Sequence, residues 1–284
     1  AWVMCVAMAM NLLGILFMPD LAIHQDEHYP AVKGFFWQKN IAGRALLLGV
    51  LCWLAVASAR ARRASSFAGF FFCAAGVLMT VSATATASLI LVVLAFLTIS
   101  AWERFSAPLR VMVVFGTLLA LLASAPLFSQ LSEGILVGTG RDITLTGRTY
   151  IWSGVIAEIS SSAPYLGFGY EAFWTSKVAG ASVLPWYGIG SSYVPPQAHN
   201  GIVQAYAAFG WLGVVAALFF FVSLLVRSLR AKDNSSNAIA RSFAIPFSVY
   251  FFMINMTESE FLSYTSLIWA VAMYVYIALG NQRY

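Results

Sequence analysis

From Ser66 to Trp102 the chain runs 37 residues without one Asp, Glu, Lys or Arg. As a single helix that run would be ~55 Å long at about 1.5 Å per residue, against about 30 Å for the hydrocarbon core of a bilayer. It must therefore fold back on itself, as two helices joined by a turn within apolar surroundings. Such a turn releases backbone N–H and C=O groups that need partners. The hydroxyls of Ser82, Thr84, Thr86 and Ser88 can supply them, so the turn is expected over that stretch, at the mouth of a cavity.

The rest of the chain is of the same kind. Hydrophobic residues make up 61% and charged residues 10%, where an ordinary soluble domain has about 45–50% and about 25%. A soluble enzyme, a disordered chain, a disulfide-stapled scaffold and a nucleic-acid-binding domain all need more polar surface or more cysteine. Cys5, Cys52 and Cys73 lie inside apolar runs, where a thiol behaves as a small hydrophobe. Apolar runs of helix length occur near 1–17, 42–59, 67–80, 84–101, 109–128, 200–226, 242–257 and 261–279. They predict eight helical passes in one membrane domain, residues 1–284. The sequence begins inside an apolar run with neither a basic start nor a cleavage site, which predicts further helices before it.

Alternating the passes puts ten basic residues on one side, among them Arg60, Arg62, Arg63, Arg104, Arg227 and Arg230, and six on the other. Basic residues collect on the cytoplasmic side, so the long polar segments 18–41 and 129–199 are predicted to face outward. Loops beyond about 12–15 residues are usually functional or disordered. The second loop carries Trp152, Trp174 and Trp186, which argues against disorder. Within it, Thr149 to Ser161 places Ile151, Val155, Ile156 and Ile159 near helical spacing and is expected to lie along the membrane surface.

Few residues in this layout can carry chemistry. His199, in Pro195-Pro-Gln-Ala-His199-Asn200-Gly201, stands where prolines end the outer loop and Asn200 and Gly201 open a helix. A neutral imidazole there can act as a general base near pH 7; taken alone, a histidine so placed is more often an interfacial residue bonded to loop carbonyls. Arg148 precedes the surface helix. Its fork of donors and the positive helix end together suit a phosphate, while an arginine so placed can also snorkel to lipid headgroups. Arg141, beside Asp142, reads as a local ion pair that can also contact substrate. Lys39 and Arg44, at the start of the second pass, add positive potential for a diphosphate or anchor the interface beside Trp37. His24 and His28 are four apart but have no third ligand, so no metal site is expected. With no Walker loop and no dinucleotide fingerprint, nucleotide hydrolysis and redox chemistry have no machinery here.

Four segments, taken in order, resemble the O-antigen ligase and polymerase superfamily. They are Gly34-Phe-Phe-Trp-Gln-Lys39-Asn40-Ile-Ala-Gly43; Gly140-Arg-Asp-Ile-Thr-Leu-Thr-Gly-Arg148-Thr-Tyr-Ile-Trp152; Pro164-Tyr-Leu-Gly167-Phe-Gly169-Tyr170; and His199-Asn200-Gly201 followed by Phe209-Gly210-Trp-Leu-Gly213. The resemblance spans roughly residues 30 to 215 and is nearest the exopolysaccharide polymerase branch. It implies an all-α, multi-pass transmembrane bundle of the GT-C glycosyltransferase type, with a large periplasmic loop containing short interfacial helices. The implied setting is the bacterial inner membrane, with the site facing the periplasm. His199 would deprotonate the acceptor hydroxyl and Arg148 would hold the lipid-linked diphosphate. Trp152 and Asn200 are read as further substrate contacts beside Arg141, Lys39 and Arg44. One departure stands out: where the family places an Arg or Lys in a short Ser/Thr-rich phrase, this chain has Ala85.

The function expected from this is polymerisation of undecaprenyl-diphosphate-linked exopolysaccharide repeat units, inverting and without metal or cofactor. The partners are the lipid-linked glycan donor, the glycan acceptor and the bilayer, with a chain-length regulator and export machinery alongside and no nucleic acid. A ligase transferring finished glycan to lipid A core or to protein shares the same motifs. A non-catalytic transporter or lipid-binding protein is the rival of another class, and it would predict paired charges at the bilayer centre and two related halves.

Overall fold

The computed structural model describes residues 1–25, 30–58, 63–101, 105–106, 108–109, 112, 116, 148–176, 195–231 and 238–280. Its helices are α1 (Trp2–Phe17), α2 (Pro19–Ala22), α3 (Lys39–Ser58), α4 (Arg63–Met79), α5 (Ala83–Ala101), α6 (Arg148–Ser162), α7 (Ala172–Thr175), α8 (Gly201–Arg230), α9 (Ala238–Asn255) and α10 (Leu267–Gly280). Among the described residues, the strands are two antiparallel three-residue pieces, β1 (Ile23–Gln25) and β2 (Pro30–Val32), with Ile23 opposite Val32. The protein is all-α. Three of the helices, α3, α5 and α8, are long and apolar enough to cross a membrane, and α1, α4, α9 and α10 contribute shorter apolar stretches. The pass expected over 109–128 lies outside the described residues apart from Leu109, Met112 and Gly116.

The chain divides into two compact units. The first comprises Ala1–Arg104, Leu224–Ile254 and Ala270–Tyr284. Its central element is α3, which buries Leu46, Leu47, Val50, Leu51 and Trp53. The charge-free run does fold back, but earlier than expected. The turn is Thr80-Val81-Ser82, with Val81 at φ 50°. Thr80 Oγ1 donates to Val77 O at 2.7 Å, ending α4, and Ser82 Oγ accepts from Ala85 N at 3.4 Å, opening α5. Thr84, Thr86 and Ser88 are already helical. One hydroxyl at each helix end suffices for the turn, so the others remain in the helix.

The second unit comprises Phe105–Ser223 and Asn255–Trp269. The helix expected over 149–161 forms as α6. Its i, i+4, i+8 stripe of Ile151, Val155 and Ile159 is buried with Phe173 of α7 and Tyr206 and Ala207 of α8, as an amphipathic helix requires. Tyr150 and Ile156 stay exposed.

Helix α8 is broken at Gly210, where φ is 59° and ψ −147°, a combination open only to glycine. The break frees backbone groups on both sides, and the segment after α6 takes them up. Phe168 N donates to Ala207 O at 3.0 Å and Gly169 N to Ala208 O at 2.9 Å, while Trp211 N donates to Pro164 O at 2.9 Å. The two glycine-bearing motifs, 164–169 and 210–213, are thus halves of one hydrogen-bonded joint. A Cβ on Gly210 would sit 2.4 Å from Tyr165 C and 2.5 Å from Pro164 O. Gly210→Ala is therefore expected to cost on the order of 3 kcal/mol from the forbidden backbone geometry and the steric overlap together. A thermal midpoint for the purified variant several degrees below wild type checks this, and an unchanged midpoint contradicts it.

Candidate functional site

Three charged or titratable side chains from distant parts of the sequence meet in the second unit. Arg148 is the first residue of α6, His199 directly precedes the cap of α8, and Glu258 lies in the segment joining α9 to α10. Arg148 Nη2 donates to Glu258 Oε1 at 3.1 Å, and His199 Nδ1 lies 3.3 Å from Glu258 Oε2. A second guanidinium nitrogen of Arg148 donates to the carbonyl of Thr257. The Glu258 side chain is 4% exposed, Arg148 15% and His199 25%. A buried carboxylate is thus shared by a cation on one side and an imidazole on the other.

The local backbone explains how His199 is held. Its φ is 51°, a left-handed conformation that costs a non-glycine residue about 1 kcal/mol or more. Its neighbours fix it there. Ala198 N donates to Gln204 Oε1 at 3.0 Å, and Trp152 Nε1 donates to Ala198 O at 2.8 Å. Gln204 Oε1 also receives Trp174 Nε1 at 3.0 Å. On the other side, Asn200 N donates to Ser259 Oγ at 3.1 Å.

Asn200 caps α8 as its position in the sequence suggests. Its Oδ1 accepts from Ile202 N at 2.9 Å and Val203 N at 3.1 Å, and its Nδ2 donates to Met256 O at 3.2 Å. Both functional atoms of the side chain are therefore engaged within the protein. So is the indole N–H of Trp152, which leaves its ring packed against the α6 core.

The segment carrying Glu258 is seated on the same helix end. Asn255 Oδ1 receives Glu260 N at 3.2 Å and Phe261 N at 2.7 Å. A Cβ on Gly201 would lie 2.1 Å from that oxygen, so glycine is needed where the two segments cross. Glu258, Ser259 and Glu260 are all buried, which requires internal partners; the Glu260 carboxylate accepts from the Ser266 hydroxyl.

The geometry sets the proton arrangement. With Nδ1 facing a carboxylate, the neutral imidazole keeps its hydrogen on Nδ1 and presents Nε2 as the basic nitrogen. Nε2 makes no hydrogen bond among the described residues. Arg148 spends two of its N–H groups on Glu258 and Thr257, and a guanidinium has about five. Its remaining donors, at the N-terminus of α6, can meet an anion.

The other sequence-derived candidates fall elsewhere. Lys39 and Arg44 are in the first turns of α3, in the first unit. Arg44 Nε donates to Asn40 O at 3.2 Å, and Tyr250 OH donates to Arg44 O at 3.2 Å. Arg141 and His28 lie outside the described residues, and His24 is in β1. Ala85 is buried where α5 meets α3: a Cβ on Gly43 would lie 2.7 Å from that of Ala85. The contact explains the alanine, since a long basic side chain has no room between those helices.

Glu258 is not among the residues that the sequence pattern singles out. A signal existed. Between Arg241 and Arg283 the only Asp, Glu, Lys or Arg residues are Glu258 and Glu260, and an isolated acid between apolar runs is a functional candidate by default.

Residues 68–220, more than half of the chain, match the family described as O-antigen ligase. A segment of 121 residues, 41% of the chain, is 31% identical to the exopolysaccharide production protein ExoQ of Rhizobium meliloti (strain 1021). That match spans 26% of the length of the relative. The family match includes Arg148, His199 and Gly210 and ends before Glu258.

Removing the Glu258 carboxylate leaves the largely buried Arg148 without its counter-ion. Glu258→Ala is expected to cost about 3 kcal/mol, and Glu258→Gln, which fills the same space and keeps one acceptor oxygen, clearly less. Thermal unfolding of both variants in the same detergent tests this order, which equal midpoints would contradict.

Proposed function

The chain belongs to the O-antigen ligase family, and from that premise we propose that it is a membrane glycosyltransferase acting on lipid-linked glycans at the periplasmic face of the bacterial inner membrane. The reaction we assign is polymerisation of undecaprenyl-diphosphate-linked exopolysaccharide repeat units. The name of the Rhizobium meliloti relative supports the exopolysaccharide setting for this chain. The observation that carries the reading is the connection of Arg148 and His199 through Glu258.

The chemistry follows from that connection. An acceptor sugar hydroxyl approaches Nε2 of His199 and gives up its proton as its oxygen attacks the anomeric carbon of the donor. The bond from that carbon to the diphosphate breaks, and the leaving diphosphate takes the electron pair. Attack from the face opposite the leaving group inverts the anomeric configuration. As His199 becomes an imidazolium, the Glu258 carboxylate stabilises its charge and holds its orientation. The spare donors of Arg148 and the N-terminus of α6 stabilise the charge growing on the diphosphate oxygens. No nucleotide or metal has a part in this scheme, because the donor already carries its leaving group. The assembly of Arg148, Glu258 and neutral His199 has no net charge, and it becomes cationic as the anionic leaving group forms.

The ligase reaction, with lipid A core or protein as acceptor, would use the same atoms. Product size separates the two. The full-length protein is compared with His199→Ala and Arg148→Ala at equal membrane levels in a deletion strain. Loss of the base in His199→Ala is expected to slow transfer ~10²–10⁴-fold and loss of the stabilising cation in Arg148→Ala ~10²–10³-fold, so both variants should accumulate single lipid-linked repeats and lose long polymer. Long lipid-linked polymer that fails to reach an acceptor would establish the ligase reaction instead. Unchanged polymer in both variants would remove these residues from the site.

A further inference from the structure

The segment that carries Glu258 also carries an exposed aromatic side chain. Tyr264 is 75% exposed, and its ring centroid lies 6.5 Å from that of Tyr170, itself 43% exposed, at an interplanar angle of 65°. The pair is built rather than incidental. Tyr170 OH donates to Leu262 O at 2.8 Å, which ties its ring to the segment that carries Tyr264. Two non-glycine residues beside the rings, Glu171 at φ 54° and Leu262 at φ 61°, hold left-handed backbone conformations. Burial, followed by the nearby Glu171 carboxylate, raises the Tyr170 phenol above its ordinary pKa. Ser263 and Thr265 flank Tyr264, their hydroxyl oxygens 3.4 Å apart.

Two angled rings bordered by a carboxylate and two hydroxyls form a particular kind of surface. The ring faces are electron-rich and attract the slightly positive C–H edge of a pyranose. The polar groups can bond the equatorial hydroxyls at its rim. A surface meant for lipid tails has no use for a carboxylate and hydroxyls in that position. We infer that Tyr170 and Tyr264, with Glu171, Ser263 and Thr265, form a subsite that binds a saccharide ring of the acceptor. The inference rests on the glycosyltransferase reading above and adds the acceptor's place to it. The same turn then positions both the acceptor and the carboxylate that orients the base.

The test uses the full-length protein reconstituted in nanodiscs. The donor is the host's lipid-linked repeat, and the acceptor probe is the oligosaccharide released from that repeat by mild acid. Tyr264→Ala is expected to raise the acceptor KM about 10-fold, as expected for loss of one aromatic contact, with kcat within about two-fold and donor KM unchanged. Tyr264→Trp, which keeps a ring, should restore the acceptor KM. Glu171→Gln should raise it more modestly. An unchanged acceptor KM in Tyr264→Ala overturns the subsite, and so does a rise confined to the donor KM. Binding of the oligosaccharide, followed by titration calorimetry without donor, separates the two levels of inference. Tighter binding by wild type than by Tyr264→Ala, with no transfer by wild type, keeps the subsite and rejects the transferase reading. Equal binding by the two rejects the subsite whatever the transfer activity.

Discussion

The second unit is organised around one carboxylate. Glu258 is almost fully withdrawn from water, and a buried carboxylate is tolerable only when its lone pairs are occupied by donors and its charge is matched. Arg148 supplies the charge and His199 the second donor. Because those residues start α6 and immediately precede α8, satisfying Glu258 brings three segments together: the entrance of one helix, the cap of another and the α9–α10 connection. The supporting bonds have the same logic. Asn200, Ser259, Asn255 and Gln204 each bind backbone of a neighbouring segment, so the three side chains are placed by a frame of amides and hydroxyls rather than by apolar packing alone.

The second constraint is the break in α8. A helix that continued unbroken through Gly210 would offer no free carbonyl at Ala207 or Ala208 and no free N–H at Trp211. The segment 164–169 would then have no partner in α8, and α7 and Phe173 would lose their tether. The break thus couples the helix to the cap of helices packed on its N-terminal half, where His199 is held in a left-handed conformation.

Much of this was legible in the sequence. Apolar runs of helix length give the helices because a hydrocarbon surrounding leaves few other ways to satisfy a backbone, and the observed α1, α3, α4, α5, α8, α9 and α10 follow those runs closely. Arg148 and His199 could be picked out because each stands at a helix boundary where an ionisable side chain has a physical use. Asn200 was legible as a helix opening, though its side chain proved to be occupied by the cap and by Met256. Glu258 is harder to see, since an acid in a short turn has no periodicity, Glu260 stands two residues on, and the partners of Glu258 are 110 and 59 residues away. The turn at 80–82 begins a few residues before the centre of the Ser/Thr phrase, because every hydroxyl there looks equally able to cap and Ser82, its first, is the one that does.

The central claim is that Glu258 acts on the reaction through His199, as a positioning group and a counter-charge, and not merely on the fold. The most direct test is the single-turnover transfer rate of Glu258→Gln in the reconstituted full-length protein at saturating donor and acceptor. Gln preserves size but removes the charge and replaces one acceptor oxygen by an N–H donor, which permits the wrong imidazole tautomer. The account expects transfer to fall ~10²-fold or more while the donor and acceptor KM values stay near wild type. Transfer at the wild-type rate from a folded Glu258→Gln protein would contradict it.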